Sequence, residues 1–197
     1  EAAREGFSDL IELACRLGAS HAAVIPAAAI SVQDDLADLC REPQCENYGQ
    51  AARCPPHVSG PAGFRELLKD FHQALVFKLE VPSECLFSSE RRDIFRLLHE
   101  IAAGIEQFAI QMGYLEAKAF TGGSCKRIFC HDQPSCRVLS EGGECRHPDQ
   151  ARPSMSGFGI QVSGLMEAAG WTMHRSSPPT AAGQTPMGTV CGLVLLG

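Results

Sequence analysis

The sequence predicts a single α/β domain over residues 1–197, in which helices flank a mixed sheet and two cysteine-rich loops (40–57 and 122–153) bind metal. Three observations predict this fold class. The chain is 45% hydrophobic over 197 residues, enough for one substantial core. Helical and extended patterns alternate along it, as they do when helices cover a sheet. A continuous apolar stripe over 89–113 predicts a long helix with one face against that sheet.

Three helices and two strands are predicted in the first half of the chain: helices over 4–18, 32–40 and 61–71, and strands over 21–30 and 73–81. Gly18 is the expected C-cap of the first helix, and Ser31 the expected N-cap of the second. Pro26 favours an edge position or a bulge in the first strand, because proline donates no ladder hydrogen bond. Pro61 suits the first turn of the third helix.

Two helices and three strands are predicted in the second half: helices over 89–113 and 163–170, and strands over 114–122, 171–175 and 187–197. The Pro- and Ser-rich segment 176–186 reads as a mobile connection between the last two strands. Both cysteine loops follow elements of this scaffold, where sites are commonly built.

The net charge of -6 argues against nucleic acid as a partner, because phosphate neutralisation needs an excess of Lys and Arg. We also expect no membrane span, because no apolar run reaches about 18 residues. The N-terminal segment resembles an amphipathic helix and lacks the features of an export signal. There is no glycine-rich nucleotide loop and no convincing acid pair, so nucleotide binding and glycosidase chemistry have no support.

Ten cysteines are the main feature of the composition, and seven of them fall in two groups. Disulfides are one explanation, but the apolar content makes covalent stapling unnecessary and clustering suits a metal that needs several thiolates in one sphere. Cys15, on a helix, and Cys191, in an apolar strand, are expected to pack in the core. Cys85 lies in a loop and is left open.

The second loop has the pattern Cys125-x4-Cys130-x5-Cys136-x8-Cys145. Four thiolates within twenty-one residues can close on one centre. Structural zinc sites mostly use a short Cys-x2–4-Cys knuckle; the x4 gap here is at the upper end of that range and the x5 and x8 gaps exceed it, which favours a [4Fe–4S] cluster, with zinc as the alternative. Interspersed Lys and Arg residues suit an anionic cluster.

The first loop has the pattern Cys40-x4-Cys45-x8-Cys54 and is followed by two prolines. It offers three thiols, one short of a full set. Three alternatives are open: a fourth ligand from elsewhere, an iron free to bind substrate or solvent, or no metal at all with the thiols packed in the core. The candidates for a fourth ligand are Cys15, His57, Cys85 and Cys191.

Three further residues are candidates for contact with a cofactor or an anion. His147 follows Cys145 by two positions and is expected to ligate metal, donate to a sulfide or cap a turn. Arg152 offers a planar fork for a carboxylate or phosphate, or an ion pair with Asp149 or Glu144. Arg53 lies beside Cys54 and is expected to line the same cavity as His147 and Arg152.

The two cysteine loops resemble the predicted metal-binding proteins grouped as domain of unknown function 2284, over roughly residues 35–175. The resemblance implies a small cytoplasmic metal or iron–sulfur protein of bacteria or archaea, many of them anaerobes. The chain departs from the family pattern at Ser156-Gly157, where an acidic residue and alanine are expected. The motifs that carry the resemblance are Asn47-Tyr48-Gly49, Cys54-Pro55-Pro56, Gly122-Gly123, Cys145-Arg146-His147-Pro148 and Ala151-Arg152-Pro153-Ser154-Met155.

Three functions are consistent with these observations. The first is an electron-transfer protein with one or two [4Fe–4S] clusters and a redox partner protein. The second is an enzyme whose open iron in the first loop acts on a small anion oriented by Arg53 or Arg152. The third is a structural zinc module that mediates interactions.

Overall fold

A computed structural model describes residues 2–41, 44–172 and 186–197. Within these ranges one four-stranded sheet has the order β1-β2-β4-β3, which confirms the α/β class. All three strand ladders are antiparallel, whereas parallel and antiparallel ladders were expected. The alternation of elements does not encode strand direction, which depends on the end of the sheet to which each connection returns. The strands are β1 His21–Pro26, β2 Gln73–Pro82, β3 Lys118–Phe120 and β4 Met187–Leu196.

Helices cover both faces of this sheet. Short 3₁₀ helices occupy Ala27–Ala29, Leu68–Asp70 and Met155–Phe158. The α-helices in the described residues are α1 Ala2–Arg16, α2 Asp34–Asp38, α3 Gly60–Leu67, α4 Ser83–Leu86, α5 Arg91–Gln111, α6 Cys125–Phe129, α7 Arg137–Glu141 and α8 Val162–Ala168.

The two central strands separate two hydrophobic cores, because successive side chains of a strand point to opposite faces. From β2, Val76 faces α3 and α8, while Phe77 faces α1 and α5. From β4, Leu193 and Val194 alternate in the same way. Gly192 lies opposite Phe77 in the ladder, and a Cβ there would lie 2.4 Å from the Phe77 ring.

Several sequence expectations are confirmed and others are adjusted. Strand β1 is an edge strand and ends at Pro26, so 27–30 is not extended as predicted. The N-cap of helix α2 is Gln33 and not the predicted Ser31. The strand predicted over 114–122 is reduced to β3, whose register with β4 covers three residue pairs. The strand predicted over 171–175 and the connection over 176–186 lie almost entirely outside the described residues.

The loop predicted over 122–153 contains two short helices, α6 and α7, each of five residues. Cysteine and glycine lower helix propensity, but tertiary contacts override such weak preferences. In the part of the chain that the structure describes, no helix combines the length and apolar character that crossing a membrane requires.

Candidate metal centre

The second cysteine loop leaves the sheet and returns to it at one point. After β3, the Thr121 N–H donates to the Pro153 carbonyl (2.9 Å), and the Met155 N–H donates to the Thr121 carbonyl (2.8 Å). These bonds form an isolated parallel bridge between Thr121 and Ser154. The cysteines in between therefore lie in a loop whose two ends are fixed together at the sheet edge.

Helix α5 holds both ends of this loop. Glu106 accepts the Ala119 N–H (2.6 Å) through Oε1 and the Arg152 Nε–H (2.7 Å) through Oε2. His99 accepts the Arg152 main-chain N–H (3.0 Å) through Nδ1, so the neutral ring carries its proton on Nε2. Thr121 Oγ1 lies 3.0 Å from that Nε2. One face of α5 thus fixes the strand that enters the loop and the segment that leaves it.

Four cysteines of the loop line one cavity, and the short helices place them. Cys125 begins α6 and Cys130 follows its last residue, while Cys136 is the N-cap of α7. Cys145 borders the same cavity from the loop that follows α7. The four thiols that were predicted as one ligand set thus border one space, and their binding of a metal stays a prediction.

Cys136 has the environment of an anionic sulfur. Burial alone would raise the pKa of its thiol, but main-chain N–H groups of Ala52, Leu139 and Val138, together with Arg146, lower the pKa below its ordinary value. Two of these N–H groups belong to the first turn of α7, which Cys136 caps and where the helix dipole is positive. The third comes from the first cysteine loop.

The first cysteine loop lies directly against the second. Cys54 is buried and donates from Sγ to Ser124 Oγ over 3.5 Å. Burial, as the main cause, and the neighbouring Cys54, Cys145 and Cys136 together raise the pKa of Cys125 to about 12. Burial also raises the pKa of Cys40 to about 11, with contributions from Cys45 and Cys54. All seven clustered thiols thus belong to one continuous region.

Turns and close backbone contacts shape the first loop. The Gln50 N–H donates to the Asn47 carbonyl (3.1 Å), and Gly49 has a φ of 72°, so the chain turns at this position. The peptide between Pro55 and Pro56 is cis. Gly157 packs on this proline pair, because a Cβ there would lie 2.9 Å from Pro55 Cδ. The position where the chain departs from the family pattern is therefore in contact with the first loop.

Three cations face the thiols in different ways. Lys126 donates to the carbonyls of Cys130 (2.8 Å) and Gln133 (2.6 Å) and so ties the loop together. Arg146 donates to the Ser135 carbonyl (3.1 Å) and lines the cavity. Arg53 is half-buried and opposes the rise in the pKa of Cys125. Within the described ranges no carboxylate pairs with Arg53.

His147 and Arg152, the other predicted cofactor contacts, have defined positions. The His147 N–H donates to Cys145 Sγ (3.4 Å), its carbonyl accepts the Ala151 N–H (2.9 Å), and its ring stacks on Phe129. Arg152 is buried, and its guanidinium pairs with Glu106 (2.5 Å) instead of with Asp149 or Glu144. Helix packing supplied a partner that is distant in sequence, and this pairing makes Arg152 an anchor of the loop.

The remaining cysteines lie on other elements: Cys15 on α1, Cys85 on α4 instead of the predicted loop, and Cys191 on β4. All ten cysteines are free thiols. Cys191 is buried as predicted, but Cys15 is exposed. The buried stripe of α1 runs through Leu10 and Ala14, and Cys15 is about 100° further round the helix. Among the described residues no three His, Cys, Asp or Glu side chains are placed to hold a single metal ion directly.

Several residues that shape the site were not found from the sequence. Ser124 Oγ accepts a hydrogen bond from the Cys54 thiol, and the Phe129 ring stacks on the His147 ring. The Ala52 main-chain N–H forms a hydrogen bond with Cys136. Gly122 packs against α5, because a Cβ there would lie 2.9 Å from the Phe95 ring. Ser124 precedes a ligand candidate by one position, which is the only sequence signal for any of them.

A family model described as predicted metal-binding protein (domain of unknown function 2284) matches residues 23–196. The match covers most of the chain, so the chain belongs to this family. No curated protein and no solved structure matches it significantly.

Proposed function

We propose that this member of the predicted metal-binding family holds a [4Fe–4S] cluster between Cys125, Cys130, Cys136 and Cys145 and passes single electrons to a partner protein. The observation that supports this function best is the cavity lined by all four of these thiols. Four thiolate donors around one space are the ligand set of an iron–sulfur cluster, and the wide spacing of the cysteines along the chain favours a cluster over a single zinc ion.

The surroundings of the cavity fit an anionic cluster. Arg146 and the α7 amides supply positive charge and N–H donors at Cys136, and the His147 N–H points at Cys145 Sγ. Hydrogen bonds to cluster sulfurs raise the reduction potential because they favour the more negative, reduced state. Phe129 and Ala151 cover the inner side and limit water access. When bound, the cluster supplies one-electron redox chemistry.

The first loop extends the proposal. Cys40, Cys45 and Cys54 would hold a second, neighbouring centre with one coordination position not filled by cysteine.

A specific observation favours a second function at this position. Arg53 presents a half-buried guanidinium close to Cys125 without a carboxylate partner in the described part of the chain. Such a group suits the orientation of a small anionic substrate at an open iron. A cytoplasmic, reducing setting is part of this proposal.

Anaerobic purification with iron, sulfide and zinc analysis tests the metal. We expect about four iron and four sulfide per chain for one cluster, or about eight of each for two. Stoichiometric zinc without sulfide would refute the redox function and indicate a structural zinc module.

Single cysteine variants test the ligands. Cys136→Ser should lose the cluster of the second loop, whereas Cys15→Ser, at an exposed position of α1, should keep the full iron content. Cys54→Ser should remove about half of the iron if the first loop holds a second cluster, and none if its thiols only pack. Unchanged iron in Cys136→Ser would refute the proposed ligand set.

A further inference from the structure

A second cleft lies beside the metal centre, outside the cavity of the four thiols. Its volume is about 550 Å³, within the range of pockets that hold metabolite-sized ligands. Three segments form its walls: the first cysteine loop at Glu46, the start of α5 at Arg91 and Arg92, and α6 with its flanks at Arg127 and His131.

The charge of this cleft is predominantly positive. Arg91, Arg92 and Arg127 line it, and Glu46 is the one carboxylate among its lining residues in the described part of the chain. Arg127 forms an ion pair with Glu46 across the cleft. Arg92 has no hydrogen-bond or ion-pair partner within the described ranges. The cleft therefore keeps positive charge that its own carboxylate does not neutralise.

One wall of the cleft is apolar. Phe95 and Ile128 line it, and the Arg91 guanidinium lies 5.1 Å from the Phe95 ring centroid. Gly123 leaves room for the Phe95 and Ile128 side chains in this wall, because a Cβ at Gly123 would lie 3.1 Å from Phe95 and 3.3 Å from Ile128. The Ser124 side chain also lines the cleft and accepts a hydrogen bond from the Cys54 thiol. One side chain therefore separates the cleft from the clustered thiols.

We infer that this cleft binds a small organic anion, with a phosphate or carboxylate held by Arg91, Arg92 and Arg127 and an apolar part against Phe95 and Ile128. The inference goes beyond the proposed cluster and does not depend on its type, because the lining residues are not its ligands. It places an anionic molecule next to Cys54, on the side of the first loop.

Calorimetric titration of the anaerobically purified chain tests the inference, with phenyl phosphate, inorganic phosphate and phenol as probes. We expect phenyl phosphate to bind more tightly than inorganic phosphate, and phenol not to bind measurably. Arg92→Gln should weaken phenyl phosphate binding about tenfold, because it removes charge-assisted hydrogen bonds. Glu46→Gln should strengthen it about threefold, because it removes a like charge and frees Arg127.

Arg16→Gln is the matched control, because it removes the same charge from α1, where Arg16 pairs with Glu12 outside the cleft. Its affinity for phenyl phosphate should equal that of the unmodified chain. The inference is overturned if phenyl phosphate does not bind, if inorganic phosphate binds equally well, or if Arg16→Gln weakens binding as much as Arg92→Gln. An acidic protein that binds this surface without competition from phenyl phosphate would also overturn it. The opposite signs for Arg92→Gln and Glu46→Gln separate a specific effect from a loss of folding, and iron analysis reports the cluster separately.

Discussion

His99 shows how one buried side chain organises the second cysteine loop. Its ring is fully buried on α5, accepts the Arg152 N–H and lies edge-on to Phe129. Burial is the main cause that lowers the pKa of His99 to about 4; a hydrogen bond with the Gly122 main chain opposes it, and the positive charges of Arg152 and Arg53 support it. The neutral ring is therefore the form that the folded chain requires.

Acid should destabilise the fold through His99. Its folded pKa lies below the unfolded value of about 6.5, so the unfolded chain binds the extra proton first and stability falls as the pH drops. The contribution is fully present above pH 6.5 and decreases by about 3 kcal/mol as the pH approaches 4. Urea unfolding between pH 7 and 4.5 measures this dependence.

His99→Gln keeps an acceptor for the Arg152 N–H but cannot titrate, so its stability should depend less steeply on pH than that of the unmodified chain. His72→Gln, at an exposed histidine, is the control and should keep the original slope. Equal slopes in all three proteins would show that His99 does not contribute to the acid sensitivity.

At the scale of elements, one close backbone contact connects the two cysteine loops through the segments that flank them. Gly159 ends the 3₁₀ helix Met155–Phe158 with a φ of +69°, and its carbonyl accepts the Gln33 N–H (2.8 Å). A Cβ at Gly159 would lie 2.1 Å from the Gln33 carbonyl oxygen. The contact joins the start of α2, which leads into the first cysteine loop, to the segment that follows the second.

Gly159→Ala should therefore reduce stability by about 3 kcal/mol, because it adds backbone strain and a clash that separates the two segments. Gly170→Ala is the matched control: Gly170 has a φ of +72° but no neighbouring atom within 4 Å of a Cβ. It should cost only the strain of about 1 kcal/mol. Chemical denaturation of both variants measures the difference, and equal losses would contradict the clash.

On the scale of the whole molecule, the apolar contacts are unevenly distributed. Two large cores pack on the two faces of the sheet. The cysteine loops rest on a third, small cluster of Ile128, Phe129 and Ala151. Three buried residues contribute little hydrophobic stabilisation compared with the main cores, so the loops need another source of order.

Removal of the proposed cluster should therefore loosen the loops and leave the sheet intact. After oxidative chelation, we expect amide hydrogen exchange over 124–147 to accelerate about tenfold or more, because local opening no longer breaks metal–thiolate bonds. Exchange in the central strands, over 74–79 and 193–196, should stay the same. Chelator without oxidant is the control, and equal acceleration in the sheet would show that the metal supports the entire fold.

The sequence by itself determined the elements that depend on local periodicity. The apolar stripe of α5 and the continuous apolar runs of β2 and β4 are local patterns, and the structure confirms the helix and both strands. The grouping of Cys125, Cys130, Cys136 and Cys145 around one cavity was also predictable, because a short loop keeps its cysteines close together.

Only the tertiary structure decided the contacts between distant segments. It set the antiparallel direction of the ladders, paired Arg152 with Glu106, and brought Ala52 and Cys54 against the second loop. It also formed the cationic cleft from three separate segments. Each of these contacts joins residues far apart in the chain. They follow from the way whole helices and loops pack on the sheet, which local propensity and spacing do not encode.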